Sequence, residues 1–191
     1  MSEKIRAFIA IPLPESILKA ISAAQEKLRR TGLGIRLVRP EGIHLTLKFL
    51  GNISPTDVSH VESAIEKATR AFRPFTLKAK GIGVFPDFRR PRVIWLGITG
   101  DLEILHALQR DLESELKSHG FEKEKRPFKG HLTLGRIRNR LDRDKLSKAL
   151  QELEDFETGS FRADSVVLFR SKLHPGGAVY SKIAEAALKS A

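Results

Sequence analysis

The sequence predicts an α+β protein of two related lobes, and three observations carry that expectation. Strand-like and helix-like segments alternate along all 191 residues. No low-complexity linker divides them. One tetrapeptide, His-Leu-Thr-Leu, occurs at residues 44–47 and again at 131–134, each time within an apolar stretch of strand character. The chain is long enough to bury a substantial core, and 1–191 is expected to be one domain made of two lobes packed face to face.

Taken in order, Ala7 to Pro12 is a first strand. A helix follows from about Pro14 to Arg30, with Ile17, Leu18, Ile21, Ala24 and Leu28 at helical spacing and Thr31-Gly32 closing it. Ile35 to Val38 is a short strand, Pro40-Glu41-Gly42 a turn, and Ile43 to Leu50 the first motif strand, broken by Gly51-Asn52. Ser54 as cap and Pro55 at the first helical position open a second helix with the stripe Val58, Val61, Ile65, Ala68 and Phe72. Two β stretches, Phe75 to Val84 and Arg92 to Ile98, flank a polar loop from Pro86 to Pro91. Asp101 caps a third helix (Leu105, Leu108, Leu112, Leu116) that Gly120 ends. A basic segment, Lys123 to Lys129, leads into the second motif strand, His131 to Ile137. Asp142 opens a short helix to about Leu153. Strands near Thr158–Phe161, Ser165–Ser171 and Ala178–Ile183 and a short tail helix complete the chain.

The composition, 41% hydrophobic and 30% charged, is that of a soluble globular protein. No apolar run approaches the roughly 20 residues of a membrane span. The apolar run Ala7 to Leu13 contains Pro12 and precedes Pro14-Glu15, as a strand does and a signal peptide does not, so a cytoplasmic location is expected. There are no cysteines, which removes disulfides, thiolate nucleophiles and Cys-ligated zinc and leaves histidine as the natural catalytic side chain. The net charge of +11 and pI near 10.1 point to a polyanionic partner, nucleic acid foremost. The alternative is the Lys/Arg-rich surface of a heat-adapted protein.

Alternate side chains of a strand share a face, so each motif sets an imidazole and a hydroxyl on one side and two leucines on the other. A single copy is no more than an amphipathic strand. Two copies, using two of only six histidines, form a pair of half-sites. Cleaving a phosphodiester needs a base, an acid and donors to the phosphoryl oxygens. Histidine serves both proton roles near neutrality, and Thr hydroxyls can donate to the oxygens. No cofactor is called for, and two histidines without a third convergent ligand fall short of a metal site.

Around this pair, Lys48 lies on the His44 face by strict alternation and is expected at the cleft rim. Arg136 stands an odd number of positions from Thr133. It points away from the site unless Gly135 permits a bulge, and is either a phosphate ligand or a surface charge. Arg126, Lys129 and Arg138 could track an RNA backbone. Phe128 is either a base-stacking platform or a packing residue, and Phe85 and Phe88 share that ambiguity. Trp95, between Ile94 and Leu96, is expected in the core. His60 and His106 are expected on helix surfaces, His119 near a helix end, and His174 without an assigned task.

The two motifs, His44-Leu45-Thr46-Leu47-Lys48-Phe49-Leu50-Gly51 and His131-Leu132-Thr133-Leu134-Gly135-Arg136, resemble the paired His-x-Thr-x signatures of the two-histidine (2H) phosphoesterases. Within that superfamily the resemblance is to the RNA 2′,3′-cyclic phosphodiesterases, long called 2′-5′ RNA ligases. It extends to Arg6–Leu13, to Arg92–Gly97, and to Leu168–Leu173 ahead of Gly176-Gly177. It implies a bilobal fold of mainly antiparallel sheets with outer helices, pseudo-twofold symmetry and a central cleft lined by the motif strands. It also implies the reaction, opening of an RNA 2′,3′-cyclic phosphate to a 2′-phosphate without metal. His44 would be the proton donor, His131 the proton acceptor, and Thr46 and Thr133 the phosphate ligands. The implied partner is RNA ending in a cyclic phosphate, tRNA fragments among the candidates, acted on by a monomer. ATP-independent 2′-5′ joining would be the reverse reaction. The rival expectation is a module of the same fold that binds a nucleotide or RNA end without turnover.

Overall fold

The structure, a computed structural model, describes residues 3–138, 141–175 and 177–189. Its elements run β1 (Ile5–Ile11), α1 (Glu15–Arg30), β2 (Ile35–Leu37), a 3-10 turn (Pro40–Gly42), β3 (Leu45–Ile53), α2 (Asp57–Thr69), β4 (Phe75–Phe85) and β5 (Val93–Gly100). They continue with α3 (Leu102–Ser118), β6 (His131–Ile137), α4 (Arg143–Gln151), β7 (Glu157–Ala163), β8 (Ser165–His174) and β9 (Gly177–Ala187). All strand pairs among the described residues are antiparallel. One sheet has the order β3-β1-β8-β9, the other β2-β6-β5-β4-β7. With β2 set aside, the orders β3-β1-β8-β9 and β6-β5-β4-β7 correspond position by position. This is the pseudo-twofold that the repeated motif announced, and the fold is bilobal α+β.

Helices cover the outer faces. The apolar stripe of α1 is buried, and Gln25 on the same face donates to the carbonyls of Val38 (2.7 Å) and Leu134 (2.9 Å), fixing α1 to the second sheet. α2 packs on α3 and against β8 and β9. No helix among the described residues is long and apolar enough to cross a membrane. Asp142 caps α4 as expected, accepting from the amides of Asp144 (3.0 Å) and Lys145 (3.1 Å).

Of the boundaries that differ from expectation, three have a clear physical reason. The strand β3 continues through Gly51, whose φ of 71° lets the chain bulge and resume pairing with β1. α2 begins at Asp57, not Pro55: Ser54 and Asp57 bond each other's amides through their side chains before the first turn. The tail is no helix over the described residues, because β9 pairs with β8 as far as Ala187; strand pairing overrides the helical propensity of its alanines.

The consequential departure is a pair of bulges at equivalent places. In β3, Thr46 opposes Ala10 but Lys48 opposes Ile9, so Leu47 is the extra residue. In β6, Thr133 opposes Trp95 but Gly135 opposes Ile94, so Leu134 is the extra residue. Beyond each bulge the alternation reverses. Lys48 turns to the interior and Phe49 outward, and likewise Gly135 is buried and Arg136 exposed. This corrects the placement of Lys48. Its ammonium is 2.9 Å from the Glu113 carboxylate of α3 and 2.7 Å from the Glu122 carbonyl, and the side chains of the ion pair are about nine-tenths buried. Lys48 therefore clamps β3 to α3 and to the segment after it, and is not a rim residue.

Removing one partner of a buried ion pair strands the other charge without compensation. Glu113→Ala should cost roughly 3–5 kcal/mol. The apolar double substitution Lys48→Met with Glu113→Leu should recover most of that loss, as read by urea unfolding. A Glu113→Ala protein as stable as the parent would show that the clamp contributes nothing.

Candidate active site

His44 stands one residue before β3, and His131 opens β6. Each imidazole is anchored by a backbone carbonyl two residues upstream. His131 Nδ1 lies 2.7 Å from the Lys129 oxygen, and the Gly42 carbonyl hydrogen-bonds the His44 ring. A carbonyl can only accept, so Nδ1 of His131 carries the hydrogen and Nε2 is left with its lone pair. Thr46 and Thr133 follow at the next position on the same faces and are half-buried. The imidazoles are close enough for charge on His131 to depress His44. The structure thus brings His44, His131, Thr46 and Thr133 to facing strands.

The two half-sites differ in their surroundings. The His44 ring stacks on Phe8 (4.4 Å between centroids, 22° between planes), meets the edge of Tyr180 at 5.2 Å, and has Phe169 beyond at 6.1 Å. This aromatic wall removes the ring from water, and burial is the main cause that pulls its pKa down to about 4. The Gly42 carbonyl opposes the shift, and His131 adds to it slightly. At the position where the His131 half carries Arg136, the His44 half carries Phe49, 66% exposed.

His131 meets the edge of Phe85 at 4.9 Å and lies 6.4 Å from Trp95. Lys129 sets its ammonium over both rings, 4.4 Å from the Trp95 centroid and 5.4 Å from that of Phe85. The His131 pKa is also lowered, first by burial and then by the positive charges of Lys129 and Arg136, against the Lys129 carbonyl. Arg136 is therefore on the site side of its strand, through the bulge that strict alternation does not foresee.

Arg126 and Phe128 are not brought to the imidazoles. Phe128 packs against the core and edge-on to His106, the packing use of that residue, and Arg126 lines a shallow groove beside α3 with Gln109, Arg110 and Phe128. Trp95 corrects the core expectation. Paired with Thr133 across β5 and β6, it is half-buried, stacks on Phe85, and lies so close over Gly83 that no Cβ fits there. Phe8, Tyr180 and Phe169 are not distinguished by the sequence. Their signal is register: Phe8 opposes Phe169, and only the pairing of β1 with β8 shows that both face His44.

Known proteins resemble this chain in sequence and fold. A family model for LigT-like phosphoesterases matches residues 11–95 and 98–180. An RNA 2′,3′-cyclic phosphodiesterase of Methanothermobacter thermautotrophicus is 38% identical over 178 residues, 93% of this chain and 96% of that protein. One of Thermotoga maritima is 34% identical over 181 residues, 95% and 94% of the two chains. Among solved structures, TT0787 of Thermus thermophilus superposes with a TM-score of 0.81 at 26% identity, covering 96% of this chain and 98% of that one. E. coli LigT complexed with 3′-AMP does so with 0.79 at 26% identity, over 98% and 100%.

The depressed His44 pKa has a consequence for stability. The unfolded chain, with a histidine pKa near 6.5, binds a proton that the folded chain refuses until about pH 4. The stability tied to a neutral His44 is whole above pH 6.5 and is lost as pH falls towards 4, at most roughly 3 kcal/mol. Between those pH values, His44→Gln should lose correspondingly less stability than the parent in urea unfolding. Equal losses would place the His44 pKa near its ordinary value.

Proposed function

The chain belongs to the LigT-like phosphoesterase family, and we propose that it hydrolyses RNA 2′,3′-cyclic phosphate ends to 2′-phosphates by acid–base catalysis between His131 and His44. The observation that carries this is the pair of carbonyl-anchored imidazoles on pseudo-equivalent strands, each followed by a threonine on the same face. The names of the relatives and the 3′-AMP complex of E. coli LigT support a phosphate-bearing nucleotide as the ligand class.

In this mechanism Nε2 of His131 takes a proton from water as its oxygen bonds to phosphorus. The bond from phosphorus to the 3′ oxygen breaks, and His44 gives that oxygen its proton. Thr46, Thr133 and the Arg136 guanidinium bear on the non-bridging oxygens. The asymmetry between the half-sites supports this direction of the protons. Burial first, and then the charges of Lys129 and Arg136, lower the His131 pKa and favour the neutral form a base needs. No cationic side chain is among the causes acting on His44 other than His131, and Lys48, the nearest candidate by sequence, is spent on Glu113. The incoming phosphate anion therefore raises the His44 pKa and loads the acid. Run in reverse, the same groups would join a 2′,3′-cyclic phosphate end to a hydroxyl through a 2′-5′ linkage.

Either His44→Ala or His131→Ala should lower turnover of a 2′,3′-cyclic nucleotide by roughly 10²–10⁴-fold with folding intact. Chelator should leave the parent's rate unchanged, and phosphorus NMR should identify a 2′-phosphate product. Near-normal turnover in either variant, a 3′-phosphate, or full loss with chelator contradicts the mechanism.

A further inference from the structure

Beyond the far end of β6 lies a groove of about 450 Å³ that takes no part in the chemistry above. Five arginines line it: Arg89 and Arg90 from the hairpin between β4 and β5, Arg92 ahead of β5, Arg138 after β6, and Arg143 at the start of α4. Pro91, Ile137 and Leu141 form its apolar floor. All five arginines are exposed, and among the described residues no carboxylate is ion-paired with any of them. So much uncompensated positive charge in one concavity repels itself, and its natural occupant is a chain of anions.

The groove is built, not a chance gathering of surface side chains. Asp87, the acidic residue of the hairpin, spends one carboxylate oxygen on the amides of Arg89 (2.7 Å) and Arg90 (3.0 Å), which folds the tip. Arg143 donates to the Arg89 carbonyl (3.0 Å), tying the hairpin to α4, and the Ile137 amide donates to the Arg92 carbonyl (2.9 Å), closing the floor. It is also continuous with the active site. Arg92 and Ile137 adjoin Val93 and Arg136, which oppose each other across β5 and β6, and Val93 opposes Phe85, which touches His131. From His131 to Ile137 the strand covers on the order of 20 Å. That is too far for a terminal cyclic nucleotide to reach and within reach of a strand several nucleotides long.

We propose that this five-arginine groove binds the phosphodiester backbone of the RNA strand upstream of the cyclic phosphate, making the enzyme selective for polynucleotide ends over free cyclic mononucleotides. The proposal rests on the cyclic phosphodiesterase activity argued above. Arginine suits the task because its planar fork engages phosphate oxygens in pairs and never loses its charge.

The test compares a 2′,3′-cyclic mononucleotide with RNAs of about two, four and eight nucleotides ending in the same cyclic phosphate, using the parent, Arg90→Ala/Arg138→Ala and Arg90→Lys/Arg138→Lys. In the parent, kcat/KM should rise at least tenfold with length, the rise coming only once the strand spans the groove. The alanine pair should abolish most of that rise through KM, leaving the mononucleotide rate within about twofold, and the lysine pair should restore part of it. In binding of an eight-nucleotide product RNA ending in a 2′-phosphate, the alanine pair should reduce the dependence of log K on log salt by about 1.4, two contacts at roughly 0.7 each. Equal efficiency on all lengths, or equal loss on mononucleotide and RNA, overturns the groove. No turnover of any substrate by the parent would instead overturn the activity. The product-RNA salt dependence would then decide the groove alone, an unchanged slope in the alanine pair overturning it.

Discussion

At Leu47 in β3 and at Leu134 in β6 one extra residue is accommodated against the neighbouring strand, and beyond it the inward and outward faces exchange. A single strand step thereby decides which side chains at these positions reach the site. On one side it buries Lys48 against Glu113 and exposes Phe49; on the other it buries Gly135 and brings Arg136 to the site. Without the bulges, alternation would put a lysine beside His44 and a glycine in place of Arg136 beside His131, leaving Lys129 as the fixed charge acting on that imidazole.

The pseudo-twofold supplies two nearly identical carriers for an imidazole and a hydroxyl, whereas catalysis by an acid and a base needs them to differ. The difference comes from what packs around each ring. Phe8, Phe169 and Tyr180 dry out His44, and burial is the main cause that takes its pKa to about 4. His131 keeps aromatic neighbours too, but they share the space with Lys129 and Arg136. One half-site is apolar and awaits the charge of its substrate; the other carries its charge already. The buried Lys48–Glu113 pair belongs to the same design, since it withdraws the cation that would blunt this contrast.

Much of this is legible in the residues. The bounds of β6, the Asp142 cap, the stripes of the first three helices and the four motif side chains follow from periodicity and capping chemistry alone. Register does not. Strict alternation misplaces Lys48 and leaves Arg136 open, because a bulge is a property of two strands taken together. Phe8 and Trp95 look like ordinary core residues in their own strands. They become part of the site only when β1 is paired with β8, and β5 with β6. The tail departs from expectation for a related reason, as its alanines are helix formers whose fate is set by the partner strand β8.

In the proposed mechanism, substrate charge acting on an otherwise apolar half-site makes His44 the acid. The most direct test is NMR titration of both imidazoles in the free protein and with a non-hydrolysable analogue of a 2′,3′-cyclic nucleotide bound. His44 should titrate near pH 4 when free and climb past about 6.5 in the complex, the ordinary histidine value. His131 should move less and take up its proton second. A complex in which His131 is protonated first and His44 stays at its free value would contradict this assignment.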